Sequence, residues 1–294
     1  MIFLTTALKS EANPLIQYFN MKQESGNGSF RLFSSGEIKL IVSGTGGISS
    51  AIATTFLLTK YNAKKTDILF NIGLSACNFT DPGSKNHVGN MFIINSVKNQ
   101  IGDRNYYPDM ILKTSLPEAS LITLDRIWRK NNPDYEFDDN ILIDMEGAYI
   151  YEAALKFLYS HNVFILKVIS DFGYSETFSG EFADKLIREK SGEIAKLIFK
   201  TIEWSEYINS ANKNYDNDEF IKEISQMLML TGYQIIELKK LYRLYCVRNY
   251  NVNRSDDDGT VDKIIKKLVL NHGRFKEKKE GKIIYEKIRR ILSE

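Results

Sequence analysis

The chain has 294 residues, of which 43% are hydrophobic and 26% charged, and its formal net charge is +2. That length allows one large domain or two smaller ones with sizeable cores, and the composition is that of a globular protein rather than a disordered or fibrous one. The charge is too small to imply nucleic acid by itself, and no run approaches the roughly 20 apolar residues of a membrane span.

In chain order, residues 2–7 read as a strand and 10–19 as a helix, with Ser10 as its cap and Pro14 tolerable in the first turn. The segment reaches Lys9 and Glu11 too soon for a signal peptide. Strands at 30–34 and 39–43 flank a hairpin turn at Gly36-Glu37. A helix at 48–61 precedes a continuous apolar run at 68–72 of buried-strand type, and 91–98 is a further strand entered through Val88-Gly89-Asn90. Residues 144–159 alternate faces as a helix does, 163–170 are rich in strand formers, and 181–202 make a long helix. This alternation predicts an α/β domain over 1–204, with a mixed central sheet flanked by helices. A polar stretch rich in Asn and Asp suggests a linker at 205–218. Residues 219–294 form a small all-helical extension, with helical periodicity at 219–229, 232–248 and 260–270 and a basic end. Two cysteines, Cys77 and Cys246, are too few for a disulfide framework, which favours a cytoplasmic location. His87, His161 and His272 lack ligand spacing, so neither metal nor cofactor is expected.

Three carboxylates carry the chemistry. They lie in Ala7-Leu8-Lys9-Ser10-Glu11, Asp144-Met145-Glu146-Gly147-Ala148 and Val168-Ile169-Ser170-Asp171, each ending a strand-like run or opening a helix-like one. Cleavage of an N-glycosidic bond needs an acid at the leaving base, a carboxylate against the oxocarbenium-like ribose and a group to activate the nucleophile. Asp171, at the carboxyl end of a buried strand, suits the first role; Glu146 suits the second and Glu11 the third. Each also has a plain structural reading: Asp171 as a turn residue, Glu146 and Glu11 as first-turn acids on a helix dipole. Ser43-Gly44-Thr45-Gly46-Gly47 is a binding loop or a tight turn, and its glycine spacing is not the dinucleotide fingerprint.

These stretches, with Phe70-Asn71-Ile72-Gly73-Leu74-Ser75-Ala76 and Val88-Gly89-Asn90, occur in an order that resembles the purine nucleoside phosphorylase and nucleosidase superfamily over about two-thirds of the chain. The likeness is greatest to bacterial 5'-methylthioadenosine/S-adenosylhomocysteine nucleosidases. It implies that Glu11 activates water, that Met145 and Glu146 hold the ribose, and that Asp171, beside Ser170, protonates an adenine-type base. Ser75, Ala76 and Gly46 would line the pocket, and Phe178 or Phe182 would cover the base. It also implies a homodimer, in which Tyr106 and Tyr107 would reach the neighbouring subunit's 5' pocket. The substrate would be a purine nucleoside such as methylthioadenosine, S-adenosylhomocysteine or 5'-deoxyadenosine. No arginine precedes Arg31, which favours water over phosphate as nucleophile. The chain departs from the nucleosidases in carrying Lys167 where they usually have Arg, and in lacking a second glycine in the turn Gly73-Leu74-Ser75-Ala76-Cys77. Rival readings are a phosphate-dependent phosphorylase and a nucleoside sensor without turnover.

The extension has no counterpart in those nucleosidases. Between 239 and 290 it holds 16 Lys or Arg against 7 Asp or Glu. This is a solvated helical appendage, or a basic module for a partner or nucleic acid through 219–294.

Overall fold

The computed structural model describes residues 1–78, 87–130, 137, 141–174, 179–215, 218–248, 261–271 and 278–293. Two compact units divide the chain, Met1–Thr201 and Ile202–Glu294.

The first unit opens with β1 (Ile2–Thr6), α1 (Lys9–Tyr18), a short β2 (Lys22–Gln23), the hairpin β3 (Arg31–Ser35) and β4 (Ile38–Val42), and α2 (Gly47–Lys60). The long β5 (Ile68–Cys77), β6 (Met91–Asn99), β7 (Arg104–Tyr106), β8 (Glu118–Thr123) and β9 (Ile141–Asp144) follow, then α3 (Gly147–Ala154), β10 (Val163–Asp171) and α4 (Gly180–Tyr215). β4, β1, β5 and β10 run parallel side by side. The pairing then turns through β6, antiparallel to β10, and through β8 and β9 back onto the far end of β5, closing that half of the sheet on itself. Closure removes exposed edges from the half that carries most of the site.

β1, β5 and β10 are near-continuous apolar runs because both faces of the sheet are covered: adjacent residues Phe3 and Leu4 are both fully buried. α2 and α3 supply Leu57, Leu58, Ile150 and Tyr151 to a core shared with Phe3, Leu69 and Ile165. Pro14 sits inside α1 without ending it. The helix expected at 144–159 is shorter, because Asp144 is the last residue of β9 and the helix covers only Gly147–Ala154. The strand expected at 68–72 continues to Cys77, paired with β10. The stretch read as a linker at 205–218 is helical as far as Tyr215, in continuation of α4. Helical periodicity needs no apolar stripe in a polar segment, so composition alone did not mark this continuation.

The second unit contains α5 (Asp218–Met227), α6 (Gly232–Arg248), α7 (Val261–Leu270) and α8 (Lys278–Ser293). Phe220, Ile224, Leu238, Tyr242, Ile265, Ile284 and Ile288 form a core of its own. No helix among the described residues is long and apolar enough to cross a membrane. Within α8, Gly281 lies against the main-chain carbonyl of Leu228, and a Cβ there would overlap it. Ala in place of Gly ordinarily favours a helix by about 1 kcal/mol, but overlap with backbone costs about 1–3 kcal/mol. Gly281→Ala is therefore expected to lower the melting temperature of this unit, followed by circular dichroism at 222 nm; a higher one would mean that the contact yields freely.

Candidate functional site

Glu11 lies in the first turn of α1 and folds back over the turn that delivers it. Its Oε2 accepts the N–H groups of Ala7 and Leu8, both at 2.9 Å, and its Oε1 accepts that of Leu74 in β5 at 3.0 Å. Only 3% of the residue is exposed. The carboxylate thus caps its own helix and is fixed against a second strand. Burial raises its pKa above the ordinary glutamate value, against the opposing pull of the N–H groups and of the Lys167 charge.

β9 and β10 bring a second group of charges together. Asp144 accepts the Thr123 hydroxyl on Oδ1 at 2.6 Å and the Gly147 N–H on Oδ2 at 2.8 Å. Oδ2 also meets Lys167 Nζ at 2.8 Å, in a pair whose side chains are 1% and 2% exposed. The Thr123 hydroxyl in turn accepts the Ala148 N–H at 2.9 Å, which ties the start of α3 to β8. Two residues past Asp144, Glu146 stands at the N-cap position of α3, and its side chain accepts the Gly46 N–H on Oε1 at 2.7 Å. Gly46 has φ 90°, which glycine adopts readily, and this turns its N–H toward the acid. Burial and the neighbouring Asp144 charge lift the Glu146 pKa to about 7, with Lys167 and the Gly46 N–H pulling the other way. Burial alone would push the Lys167 ammonium down, but Asp144, Glu146 and Glu11 together outweigh it and hold its pKa above the ordinary lysine value.

Asp171 ends β10 at an irregularity: Ile169 pairs with Ser75 and Asp171 with Ala76, leaving Ser170 as the extra residue. Such a bulge re-aims the side chains beside it. The Ser170 hydroxyl lies 3.1 Å from the Ser75 carbonyl and 2.7 Å from Asp171 Oδ2, and Asp171 Oδ1 accepts the Gly173 N–H at 2.8 Å. The Trp128 ring packs on Gly173 so closely that a Cβ there would overlap it, and Lys130 N–H donates to the Gly173 carbonyl at 3.1 Å. The segment around Trp128 therefore stands at the Asp171 end of the site.

A cavity of about 470 Å³ is lined by Glu11, Ser75, Ala76, Met145, Glu146, Ser170, Asp171 and Phe182. Gly46 touches it through Glu146, and Thr45 lines it directly. Tyr106 packs on Tyr151 of α3, Tyr107 is exposed, and neither lines the cavity of its own chain. Phe178 lies outside the described residues. Sequence reasoning gave no role to Ile127, Trp128 and Arg129, which also line the cavity; an aromatic just past the end of β8 was the signal available. The Ser75 hydroxyl and the Trp128 indole N–H are buried without a hydrogen-bond partner. No cluster of three or more His, Cys, Asp or Glu suited to a metal occurs among the described residues. The second unit has a hollow of about 680 Å³ between Ile221, Lys222, Ser225, Met229, Ile235 and Lys239, but no carboxylate lines it.

No family model matches the sequence, and no curated protein is detectably similar to it. Solved structures are similar in fold. The 5'-methylthioadenosine/S-adenosylhomocysteine nucleosidase of Helicobacter pylori, crystallised with butyl-thio-DADMe-Immucillin-A, superposes with a TM-score of 0.56 at 14% identity, over 68% of this chain and 97% of that one. The fold is that of these nucleosidases. The 5'-methylthioadenosine nucleosidase of Arabidopsis thaliana gives a TM-score of 0.53 at 19% identity, over 67% of this chain and 93% of that one. A futalosine hydrolase mutant of Helicobacter pylori gives 0.54 at 14%, over 68% and 98%.

Because the Glu146 pKa stands near 7 rather than 4.5, its ionised form is disfavoured in the fold. Stability is then lost as pH rises through that interval. E146Q removes the penalty and is expected to melt above the parent at pH 8, with the gap closing as the pH falls toward 5. Thermal melts at the two pH values check this; a lower melting temperature for E146Q at pH 8 would reverse the sign.

Proposed function

We propose that the protein hydrolyses the N-glycosidic bond of a purine nucleoside with an adenine-type base, such as methylthioadenosine, S-adenosylhomocysteine or 5'-deoxyadenosine. The observation that carries this reading is the distribution of acids in one nucleoside-sized cavity: Glu11 and Glu146 beside the glycine loop, Asp171 beside Trp128. Asp171 delivers a proton to N7 as the electrons of the C1'–N9 bond pass into the purine. Glu146, ionised, binds the ribose hydroxyls and offsets the positive charge growing at C1'. Glu11 takes one proton from a water whose oxygen bonds to C1'. The products are free base and free sugar, and exchange with solvent resets Glu11 and Asp171.

Water suits this site better than phosphate. Asp144, Glu146 and Glu11 stand against the single ammonium of Lys167, a charge balance that repels a phosphate dianion. The Gly46 N–H, which an anion would use, is already donated to Glu146. Arg129 lines the cavity as well, next to Trp128 in sequence. In a homodimer the exposed Tyr107, with Tyr106, would select the 5' substituent of the neighbouring subunit's substrate.

Release of free base from methylthioadenosine, S-adenosylhomocysteine, 5'-deoxyadenosine, adenosine, inosine and futalosine, with and without phosphate, tests the proposal. Adenine is expected without phosphate, and strict phosphate dependence would make the protein a phosphorylase instead. E146Q should lower kcat by at least ~100-fold, the scale of losing one preorganised electrostatic contact to a transition state. Since Glu146 must be ionised, kcat should fall on the acid side of about pH 7; a rate unchanged down to pH 5 would remove Glu146 from its role.

A further inference from the structure

Lys167 is a buried charge that the steps above leave unused. Four elements besides its own strand face it: Asp144 from β9 at 2.8 Å, Glu146 at the start of α3, Glu11 from α1, and Gly73 from β5. A side chain at Gly73 would meet Lys167 Nζ at 3.4 Å and Glu11 Oε1 at 3.3 Å, so the ammonium and the Glu11 carboxylate flank the same bare stretch of β5. Asp144 is itself held on both oxygens, by Thr123 and by Gly147, and cannot follow the lysine if it moves. The ammonium is therefore pinned in a place from which its field reaches both of the other acids.

We propose that Lys167 and Asp144 act as a positioning pair that sets the proton occupancy of Glu146 and Glu11, the lysine favouring their ionised forms and the aspartate opposing it. One ammonium cannot neutralise three carboxylates enclosed together, so their ionisation is coupled and a charge on one raises the proton affinity of the others. Lys167 offsets that coupling and eases the ionisation of Glu146 and Glu11. Asp144 keeps Lys167 charged and in place, and its own negative charge raises the proton affinity of Glu146. The two residues act on one acid with opposite sign.

This inference gives a further role within the proposed hydrolase site, but its primary readout does not depend on turnover. Side-chain carboxyl signals of 13C-labelled glutamate are followed by NMR across pH in the full chain, with E146Q assigning the Glu146 signal. K167M, which keeps length and removes charge, is expected to raise the Glu146 midpoint by about one unit or more; D144N, which keeps shape and removes the opposing charge, should lower it by about one unit. K167R, which preserves the charge, should not show the upward shift. The acid limb of base release should move in the same directions as the NMR midpoints. Midpoints that stay put in folded K167M and D144N, or that move the same way in both, would overturn the proposal. If K167M fails to fold, D144N decides alone: a downward shift supports the pair, and no shift or an upward one refutes it. Opposite NMR shifts in a chain that releases no base from any nucleoside would leave this inference standing while the hydrolase reading falls.

Discussion

A carboxylate taken out of water must be satisfied from within, and this constraint organises the first unit. The cost of an uncompensated buried charge is several kcal/mol, comparable with the whole stability of a domain. Each acid meets it with groups from a different part of the chain. Glu11 draws on the β1–α1 turn and β5, Asp144 on β8, α3 and β10, and Glu146 on the glycine loop before α2. The polar contacts that position the acids are thus also long-range tethers: the bond from Gly46 to Glu146 spans 100 residues of sequence. Truncating any of these acids leaves donors on a neighbouring element without their acceptor.

The sheet makes this convergence possible. Four parallel strands end near one another, and the curl of β6, β8 and β9 back to β5 brings Asp144 toward the same end. Ligands of open α/β sheets lie outside the carboxyl ends of the strands, and here closure of one half adds a third wall. Glu11, Glu146, Ser170 and Asp171 share the cavity lining with apolar surface from Ala76, Ile143 and Phe182. Such a lining can fix the orientation of a flat heterocycle while drawing most of its binding from burial.

Much of this was legible in the chain and some was not, for definite reasons. Glu11, Glu146 and Asp171 were visible because each stands where an apolar run changes period, which marks a strand end without knowledge of the partner strands. The two readings of Glu11 turned out to be compatible: it caps its helix and it faces the cavity. Lys167 was visible only as a departure from a resemblance, since one lysine inside Val163–Asp171 says nothing about which acid it meets. Trp128 and Arg129 belong to no spacing pattern, and it is tertiary packing, of Trp128 on Gly173 and against Ile122, Leu124 and Ile143, that places them. β8 and β9 are short, and their pairing is non-local, so local periodicity could not show that the sheet curls. The helical continuation of α4 to Tyr215 did not show in composition, because Asn and Asp favour turns without forbidding a helix.

The extra residue at Ser170 has a consequence for how this strand can vary. Side chains alternate along β10, so the length of the strand up to the irregularity decides which way Asp171 faces. Deleting one residue there would leave the pairing upstream intact and yet turn the acid toward the opposite side of the sheet. Upstream, Ile165 and Val168 could be exchanged among branched apolar residues with little change of backbone. The last two positions of β10 therefore tolerate changes of neither length nor register, and a graft of this site onto another scaffold would have to carry the irregularity with it.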